Sequence, residues 1–278
     1  MMHRARKRFG QHFLEPSWCL RVVEACRPQP TDAFVEIGPG TGAITLPLAA
    51  RAGRVLAIEV DRDLAAALEK KAVPNLTVHT GDVLDADVDA LLDQWAGQDR
   101  STPVRVVGNL PYNISSPILF LLAALSMRRP GLVDAILMVQ AEVADRLVAR
   151  PSTGEYGVLT LVAALTADVE RLFELPPGAF RPRPQVRSAL VRLRFRTPPF
   201  PIRHRDTLVR LVRMVFTQRR KTIANGLKAA ASGARLDAGA ILAAAGIDPM
   251  RRPETLQLVE FAALADAWQS AAEALAVL

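Results

Sequence analysis

The segment Asn109-Leu110-Pro111-Tyr112 combines a side-chain amide, a proline-stiffened turn and an aromatic ring within four positions. The amino group of an aromatic base is a poor nucleophile, because its lone pair is delocalised into the ring. Hydrogen bonds from such an amine to the Asn109 side-chain oxygen and the Leu110 carbonyl would orient the lone pair and stabilise the charge that develops on nitrogen. Tyr112 can stack on the base. The segment therefore predicts chemistry at a ring-bound amine, with an ordinary turn as the alternative for an isolated match.

A glycine-rich loop, Glu36-Ile37-Gly38-Pro39-Gly40-Thr41-Gly42, follows a strand candidate and opens a helix candidate. Its Gly-x-Gly-x-Gly spacing is not that of pyrophosphate-binding dehydrogenases, and Pro39 removes a backbone donor, so NAD is disfavoured. Glu59 and Asp82 end the next two strand candidates, where they can accept hydrogen bonds from ribose hydroxyls and from an adenine amine. Together the three strand ends indicate an adenosine site, whereas each alone is equally well explained by turn glycines or N-capping acids.

These residues need a scaffold that brings strand ends together. β-Branched runs predict strands, and amphipathic stretches between them predict crossover helices, a rhythm typical of an α/β fold with parallel strands. The predicted strands are 33–37, 54–59, 76–79, 104–107 and 135–139, and the predicted helices are 42–51, 62–71, 87–95 and 115–125.

The second half of the chain changes character. Residues 156–175 are ambiguous between helix and strand, and the alternation in 188–195 predicts a half-exposed strand. Three prolines within 197–201 predict a linker. The helical periodicity beyond it predicts helices at 206–227, 237–245 and 253–275. We therefore expect two domains, 1–198 and 199–278.

The net charge of +7 is concentrated in what we call the basic strip, residues 181–221, with 13 basic groups against the single acid Asp206. Such a strip favours a polyanion such as nucleic acid, although a solvated face is the alternative. No apolar run is long enough to span a membrane and no secretory signal is evident, so we expect a cytoplasmic protein. Cys19 and Cys26 fit no metal pattern and are expected to be buried free thiols.

Four segments of the chain carry a resemblance to a known family. The segment 108–115 around the tetrapeptide resembles the motif of the rRNA adenine N6-dimethyltransferases. The segments 8–14 and 177–188 resemble the family's N-terminal and late aromatic motifs, and 216–222, with Phe-x-Gln-Arg-Arg-Lys-Thr, resembles a signature of its 16S rRNA branch. The resemblance covers essentially the whole chain. It implies a Rossmann-like methyltransferase sheet that binds S-adenosylmethionine (SAM), with a smaller all-helical C-terminal domain.

The resemblance also implies roles for individual residues. SAM would be held by His12, Leu14, Gly38, Gly40, Glu59, Asp82 and Asn109, while Asn109 and Leu110 hold the target amine and Tyr112 and Phe180 sandwich the adenine. The family commonly has Asn where this chain has His12. A neutral imidazole there would donate one hydrogen bond to the methionine carboxylate of SAM.

We expect the partner to be 16S rRNA in the 30S particle, the protein to be monomeric, and no metal to be needed. The candidates for RNA contact are Arg203, Arg205, Arg210, Arg213, Arg219, Arg220 and Lys221, although some of these side chains can instead serve packing. A 23S rRNA adenine methylase of the antibiotic-resistance type and a non-catalytic ribosome-assembly factor remain alternatives, and an NAD-dependent oxidoreductase is more distant.

Overall fold

A computed structural model describes residues 12–198 and 200–276 of the chain. The strands in this part are β1 Phe13–Leu14, β2 Ala33–Ile37, β3 Arg54–Glu59, β4 Leu76–Thr80, β5 Val104–Asn109, β6 Leu132–Gln140, β7 Ala167–Leu175, β8 Phe180–Arg181 and β9 Ser188–Phe195. The helices are α1 Pro16–Cys26, α2 Thr45–Ala49, α3 Arg62–Glu69, α4 Val88–Ala96, α5 Ser115–Arg128, α6 Ala141–Leu147, α7 Val158–Thr166, α8 Arg205–Phe216, α9 Ile223–Gly233, α10 Ala238–Ala244 and α11 Leu258–Ala276.

Seven strands form one mixed sheet in the order β4-β3-β2-β5-β6-β9-β7. The first five are parallel, and β9 runs antiparallel to both of its neighbours, β6 and β7. A separate two-stranded pair joins β1 to β8, with Leu14 opposite Phe180. The α/β class and the parallel core predicted from the strand and helix rhythm are confirmed.

The central strands are apolar because helices cover both faces of the sheet. Every residue of β2, Ala33-Phe34-Val35-Glu36-Ile37, is buried, and two of the crossover helices, α3 and α4, begin at acidic caps. Asp61 accepts a hydrogen bond from the Asp63 N–H at 3.1 Å at the start of α3, and Asp87 accepts from the Ala90 N–H at 3.0 Å at the start of α4. These caps satisfy helix N–H groups at the carboxyl edge of the sheet.

Three predicted elements differ from the structure in type or bounds, and the strand predicted at 188–195 as half-exposed is β9, which is buried at six of its eight residues because β6 and β7 flank it. The ambiguous stretch 156–175 contains both a helix, α7, and a strand, β7. The helix predicted at 42–51 is shortened to α2, because the glycine loop occupies its first residues. The helix predicted at 206–227 is two helices, since Thr222 caps a new one, α9, by accepting from the Asn225 N–H at 3.5 Å.

The chain divides into two compact units. The first contains the described residues up to Asp145 and Thr166–Arg196, and the second contains Arg146–Leu165 and the described residues from Thr197 onward. The division expected from sequence, 1–198 and 199–278, differs in the segment 146–165. Tyr156, Leu161 and Leu165 of that segment are buried among the helices of the second unit. A single domain boundary at the proline-rich linker does not account for this segment, because the sequence of an apolar helix does not indicate which core it packs into.

The second unit has its own apolar core. Leu208, Leu211, Val212 and Val215 are all buried on one face of α8, at the spacing of an amphipathic helix. They belong to one cluster with residues of α9, α10 and α11, and the buried Tyr156 hydroxyl donates to the Leu256 carbonyl at 2.8 Å. The predicted all-helical C-terminal part is confirmed.

The two cysteines are buried and free, as expected from the sequence. Burial raises the pKa of the Cys19 thiol to about 11 and that of Cys26 to about 12. Both thiols are therefore protonated near neutral pH. In the described part of the chain, no helix combines the length and apolarity that a membrane crossing requires.

Candidate functional site

Strand ends at the carboxyl edge of the sheet form a pocket. The parallel strands β2, β3 and β5 are adjacent, with Ile37 opposite both Ile58 and Gly108, so the residues that follow them converge. The first unit's pocket is lined by His12, Phe13, Leu14, Glu36, Gly38, Pro39, Gly40, Thr41, Ala43, Ile44, Glu59, Val60, Asn109, Leu110, Pro111 and Tyr112. Eight of the residues predicted from sequence are among them: His12, Leu14, Gly38, Gly40, Glu59, Asn109, Leu110 and Tyr112.

The glycine loop depends on backbone conformations that favour glycine. Gly38 and Gly40 have φ values of +70° and +58°, in the left-handed region. A Cβ at Gly40 would also lie 3.2 Å from the Phe13 ring. The Gly38 N–H donates to the Ile58 carbonyl at 3.0 Å, which holds the loop against the end of β3.

Glu59 fixes this loop through its carboxylate. One oxygen, Oε2, accepts from the Gly40 N–H at 2.9 Å, and the other, Oε1, accepts from the Asp61 N–H at 2.9 Å. Burial raises the pKa of Glu59, and these two hydrogen bonds oppose the shift by stabilising the charged form. Each carboxylate oxygen retains a second acceptor site, so the predicted contact with ribose hydroxyls is compatible with the loop contacts.

Glu36 is a candidate site residue to which the sequence analysis assigned no role. It is 2% exposed and lines the pocket, and its Oε2 atom has no hydrogen-bond partner among the described residues. Burial, with the nearby Glu59 carboxylate adding to it, raises the pKa of Glu36 to about 7. A lone acid in an otherwise apolar strand was the signal that could have identified it. A buried carboxylate oxygen without a donor in a pocket fits a ligand with a positively charged group, which SAM has.

Asp82 lies at the end of β4 but is not among the residues that line the pocket. Its Oδ1 atom accepts from the Leu84 N–H at 2.9 Å and so begins the turn that follows the strand. This is the capping role that was weighed as the alternative for such acids. Its contact with an adenine amine stays a prediction.

The tetrapeptide begins at the last residue of β5, Asn109. The Asn109 side-chain nitrogen donates to the His12 carbonyl at 2.7 Å, and the Leu110 N–H donates to the Met138 carbonyl at 3.1 Å. The Pro111 carbonyl already accepts from the Ile114 N–H. Among the described residues, none donates to Asn109 Oδ1 or to the Leu110 carbonyl. The two acceptors predicted for the target amine therefore have unused capacity.

Tyr112 is fixed at its tip and on one face. Its hydroxyl is hydrogen-bonded to Ser188 Oγ at 2.7 Å, and its ring stacks on the His12 ring at a centroid distance of 5.5 Å and an interplanar angle of 24°. Burial raises the pKa of Tyr112, so the hydroxyl is neutral. A ring restrained in this way is suited to be a stacking platform.

Phe180 does not line the pocket in this structure. Its side chain is 1% exposed and packs in the first unit's core with Leu14 and Leu175. The structure therefore does not show the predicted arrangement of Phe180 and Tyr112 on either side of a base. The physical reason is that β8 pairs with β1 and directs the Phe180 ring into the apolar core, where an aromatic side chain buries most surface.

The seven candidates for RNA contact all lie in the second unit. Arg219 is engaged within that unit: it donates to Glu254 Oε2 at 2.6 Å, to the Thr153 carbonyl at 2.8 Å and to the Gly154 carbonyl. Its role in the structure is to join segments of the chain, as was considered for part of the set. Arg205 is half-buried, and the exposed members are Arg203, Arg210, Arg213, Arg220 and Lys221.

Comparison with solved structures defines the class of the protein. A dimethyladenosine transferase from Plasmodium falciparum superposes with a TM-score of 0.73 at 24% identity, covering 91% of this chain and 96% of that one. The 23S rRNA methyltransferase ErmE superposes with a TM-score of 0.62 at 26% identity, covering 92% and 99%. The fold is that of a Rossmann-like SAM-dependent methyltransferase.

Sequence comparison narrows the class to one family. A family model described as ribosomal RNA adenine dimethylase matches residues 2–264, and the chain belongs to that family. It is 45% identical over 274 residues to the ribosomal RNA small subunit methyltransferase A of Nitrosococcus oceani, covering 97% of this chain and 98% of that protein. It is 44% identical over 269 residues to the protein of the same name from Acinetobacter baylyi, covering 95% and 92%.

Proposed function

We propose that this protein dimethylates the N6 amine of two adjacent adenosines in a hairpin loop near the 3′ end of 16S rRNA. The substrate is the rRNA of the 30S particle in the cytoplasm, and the reaction is part of small-subunit biogenesis. The adenine dimethylation is the activity of the family. The small-subunit substrate is inferred from the relatives at 44% and 45% identity, which are named small-subunit methyltransferases. We expect the protein to act as a monomer without a metal.

One observation carries the proposed chemistry: Asn109 Oδ1 and the Leu110 carbonyl both lack a donor among the described residues, while Asn109 and Leu110 both line the pocket. Two acceptors at this point can take both hydrogens of an exocyclic amine. They direct the nitrogen lone pair away from the ring plane and stabilise the positive charge that grows on nitrogen. No general base is needed, because the alkylated amine is acidic and loses its proton readily.

Apart from Asp82, the residues predicted to hold SAM line the same pocket. The sulfonium group of bound SAM would supply the methyl group. Glu59 is suited to the ribose hydroxyls, the glycine loop allows a close approach of the ligand to the backbone, and the Glu36 carboxylate oxygen without a donor is suited to a cationic group. Tyr112 supplies the stacking face for the adenine, an interaction worth roughly 1–3 kcal/mol per base.

RNA contact is proposed for the exposed members of the candidate set. Arg203, Arg220 and Lys221 have no ion-pair partner within the described chain, so each is available to a phosphate. Contacts of this kind weaken steeply as salt rises, because binding releases the counterions that neutralise the RNA. A target base in a hairpin loop is partly unstacked already, which lowers the cost of drawing it into the pocket.

The proposal is tested by transfer of labelled methyl groups from SAM to undermethylated 30S particles and, in parallel, to 50S particles. Dimethyladenosine in the 30S reaction alone is the expected result. Label only in 50S particles would move the assignment to a 23S rRNA methylase, the function for which the superposed ErmE is named. RNA binding without label in either particle would indicate a non-catalytic assembly factor.

A further inference from the structure

His12 makes three contacts within the first unit, two with the tetrapeptide and one with Pro182. Its backbone carbonyl accepts from the Asn109 side chain at 2.7 Å, and its ring stacks on Tyr112. Its ring nitrogen Nδ1 is hydrogen-bonded to the Pro182 carbonyl at 2.7 Å. One residue therefore connects the tetrapeptide at the end of β5 to the segment that follows β8.

The contact with Asn109 decides which way the amide faces. A carbonyl oxygen can only accept, so it holds the Asn109 NH2 group and leaves Oδ1 for another donor. A reversed amide would set two oxygens against each other at 2.7 Å. The orientation that amine binding requires is thus imposed by the position of the His12 backbone.

The side chain of His12 keeps that backbone in position. The Pro182 carbonyl accepts, so Nδ1 is the protonated nitrogen in this contact. In the neutral ring, Nε2 is then an acceptor and cannot donate to a carboxylate. A neutral ring that makes the link to Pro182 therefore cannot also make the donation to the methionine carboxylate of SAM that was expected from the sequence.

We propose that His12 is a positioning residue for methyl transfer: its hydrogen bond to Pro182 holds in place the backbone carbonyl that orients Asn109. The inference rests on the proposed function, because it assigns Asn109 Oδ1 to the target amine. This positioning role differs from SAM binding alone, because it acts on the rate of methyl transfer and not on the affinity for SAM. Loss of the Nδ1 donor is expected to slow the reaction while SAM and RNA still bind.

The test compares two substitutions at one position. His12→Asn keeps a donor that can reach a carbonyl, and His12→Leu removes the donor while keeping an apolar side chain of similar size. Glu15→Gln is the matched control, because it breaks the ion pair between Glu15 and Arg181 in the same strand pair without touching Asn109 or Tyr112. The measurements are kcat and RNA KM on 30S particles, the Kd of S-adenosylhomocysteine by calorimetry, and thermal unfolding.

For His12→Leu we expect kcat to fall at least tenfold, with the RNA KM and the S-adenosylhomocysteine Kd within threefold of the wild-type values. His12→Asn and Glu15→Gln should keep kcat within threefold. A wild-type kcat in His12→Leu would overturn the inference, and so would a Kd that weakens in proportion to kcat, since His12 would then act through SAM. Equal loss in the Asn and Leu variants would also overturn it.

Failure of the inference and failure of the proposed function give different results in this assay. Wild-type protein that methylates 30S particles alongside an equally active His12→Leu variant overturns the positioning role alone. Wild-type protein that transfers no methyl group overturns both. A variant that unfolds below the assay temperature is replaced by His12→Phe, which keeps a ring and lacks the donor and for which the same loss of kcat is expected.

Discussion

At the scale of single residues, Glu36 makes the stability of the protein depend on pH. Its pKa is raised from 4.5 to about 7 in the folded protein, because burial disfavours the charged carboxylate. The folded state therefore binds a proton that the unfolded state releases between these two values. The stabilisation is fully present below about pH 4.5 and is lost as the pH rises through about 7.

The substitution Glu36→Gln should remove this dependence, because the amide cannot ionise. Relative to wild type, the variant should gain stability as the pH rises from 5 to 8, by up to about 3 kcal/mol. Urea unfolding at several pH values measures the difference. Glu24→Gln, at an exposed position on α1, is a suitable control. Parallel curves for wild type and Glu36→Gln would contradict the prediction.

The same carboxylate should matter for ligand binding in the opposite sense. A cationic ligand stabilises the ionised form of Glu36, so the variant that is more stable at high pH should bind SAM more weakly. This opposition between stability and binding is expected of a buried polar group kept for function.

At the scale of elements, the glycine loop is shaped by its conformation and by its contact with β1. Gly40→Ala would introduce a Cβ at a φ of +58° and 3.2 Å from the Phe13 ring. A side chain in the left-handed region costs roughly 1–2 kcal/mol. We expect a loss of this size in the free energy of unfolding, together with weaker binding of SAM because the loop is displaced.

Gly246→Ala is the matched control for this prediction. Gly246 has a φ of +67°, and a Cβ there would meet no atom within 4 Å, in a different unit from the pocket. Both variants should lose similar stability, measured by thermal unfolding, and only Gly40→Ala should lose SAM affinity, measured by calorimetry. Equal SAM affinity in the two variants would mean that the loop tolerates a side chain.

At the scale of the whole molecule, the basic strip consists of two parts whose basic side chains have different surroundings. In the first unit most of its arginines pair with acids, as in Arg187 with Glu174 at 2.8 Å, Arg194 with Glu170 at 3.2 Å and Arg196 with Asp168 at 2.7 Å. In the second unit Arg203, Arg220 and Lys221 have no such partner in the described chain. The count of 13 basic groups thus overstates the charge available to RNA.

Adjacent arginines should therefore respond differently to substitution. Arg219→Ala leaves the Glu254 carboxylate and the Gly154 carbonyl without this donor and the Thr153 carbonyl with the Tyr156 N–H alone, so we expect it to lower the free energy of unfolding by roughly 1–2 kcal/mol. Arg220→Ala should leave stability unchanged, weaken binding to 16S rRNA and reduce the salt slope by about one. Thermal unfolding and RNA titrations at several salt concentrations check both. Equal effects of the two substitutions on stability would contradict this assignment.

The sequence by itself determined the α/β class, the strand positions and half of the residues that line the pocket. β-Branched runs and crossover helices specify a parallel sheet, and parallel neighbours end at one edge, so Glu59 and Asn109 had to converge. The role of Glu36 was accessible from the same pattern, as the lone acid of an apolar strand. The break between α8 and α9 was marked less clearly, because Thr222 is one polar residue within a continuous helical periodicity.

Only the tertiary structure decided which side chains meet across long separations. The segment 146–165 packs in the second unit, Phe180 turns into the core, and Arg219 is engaged by Glu254. His12 joins Asn109 and Pro182, which are 97 and 170 residues away in the chain. Local patterns give the conformation of each element, but burial and hydrogen bonding between distant residues are settled when the elements pack.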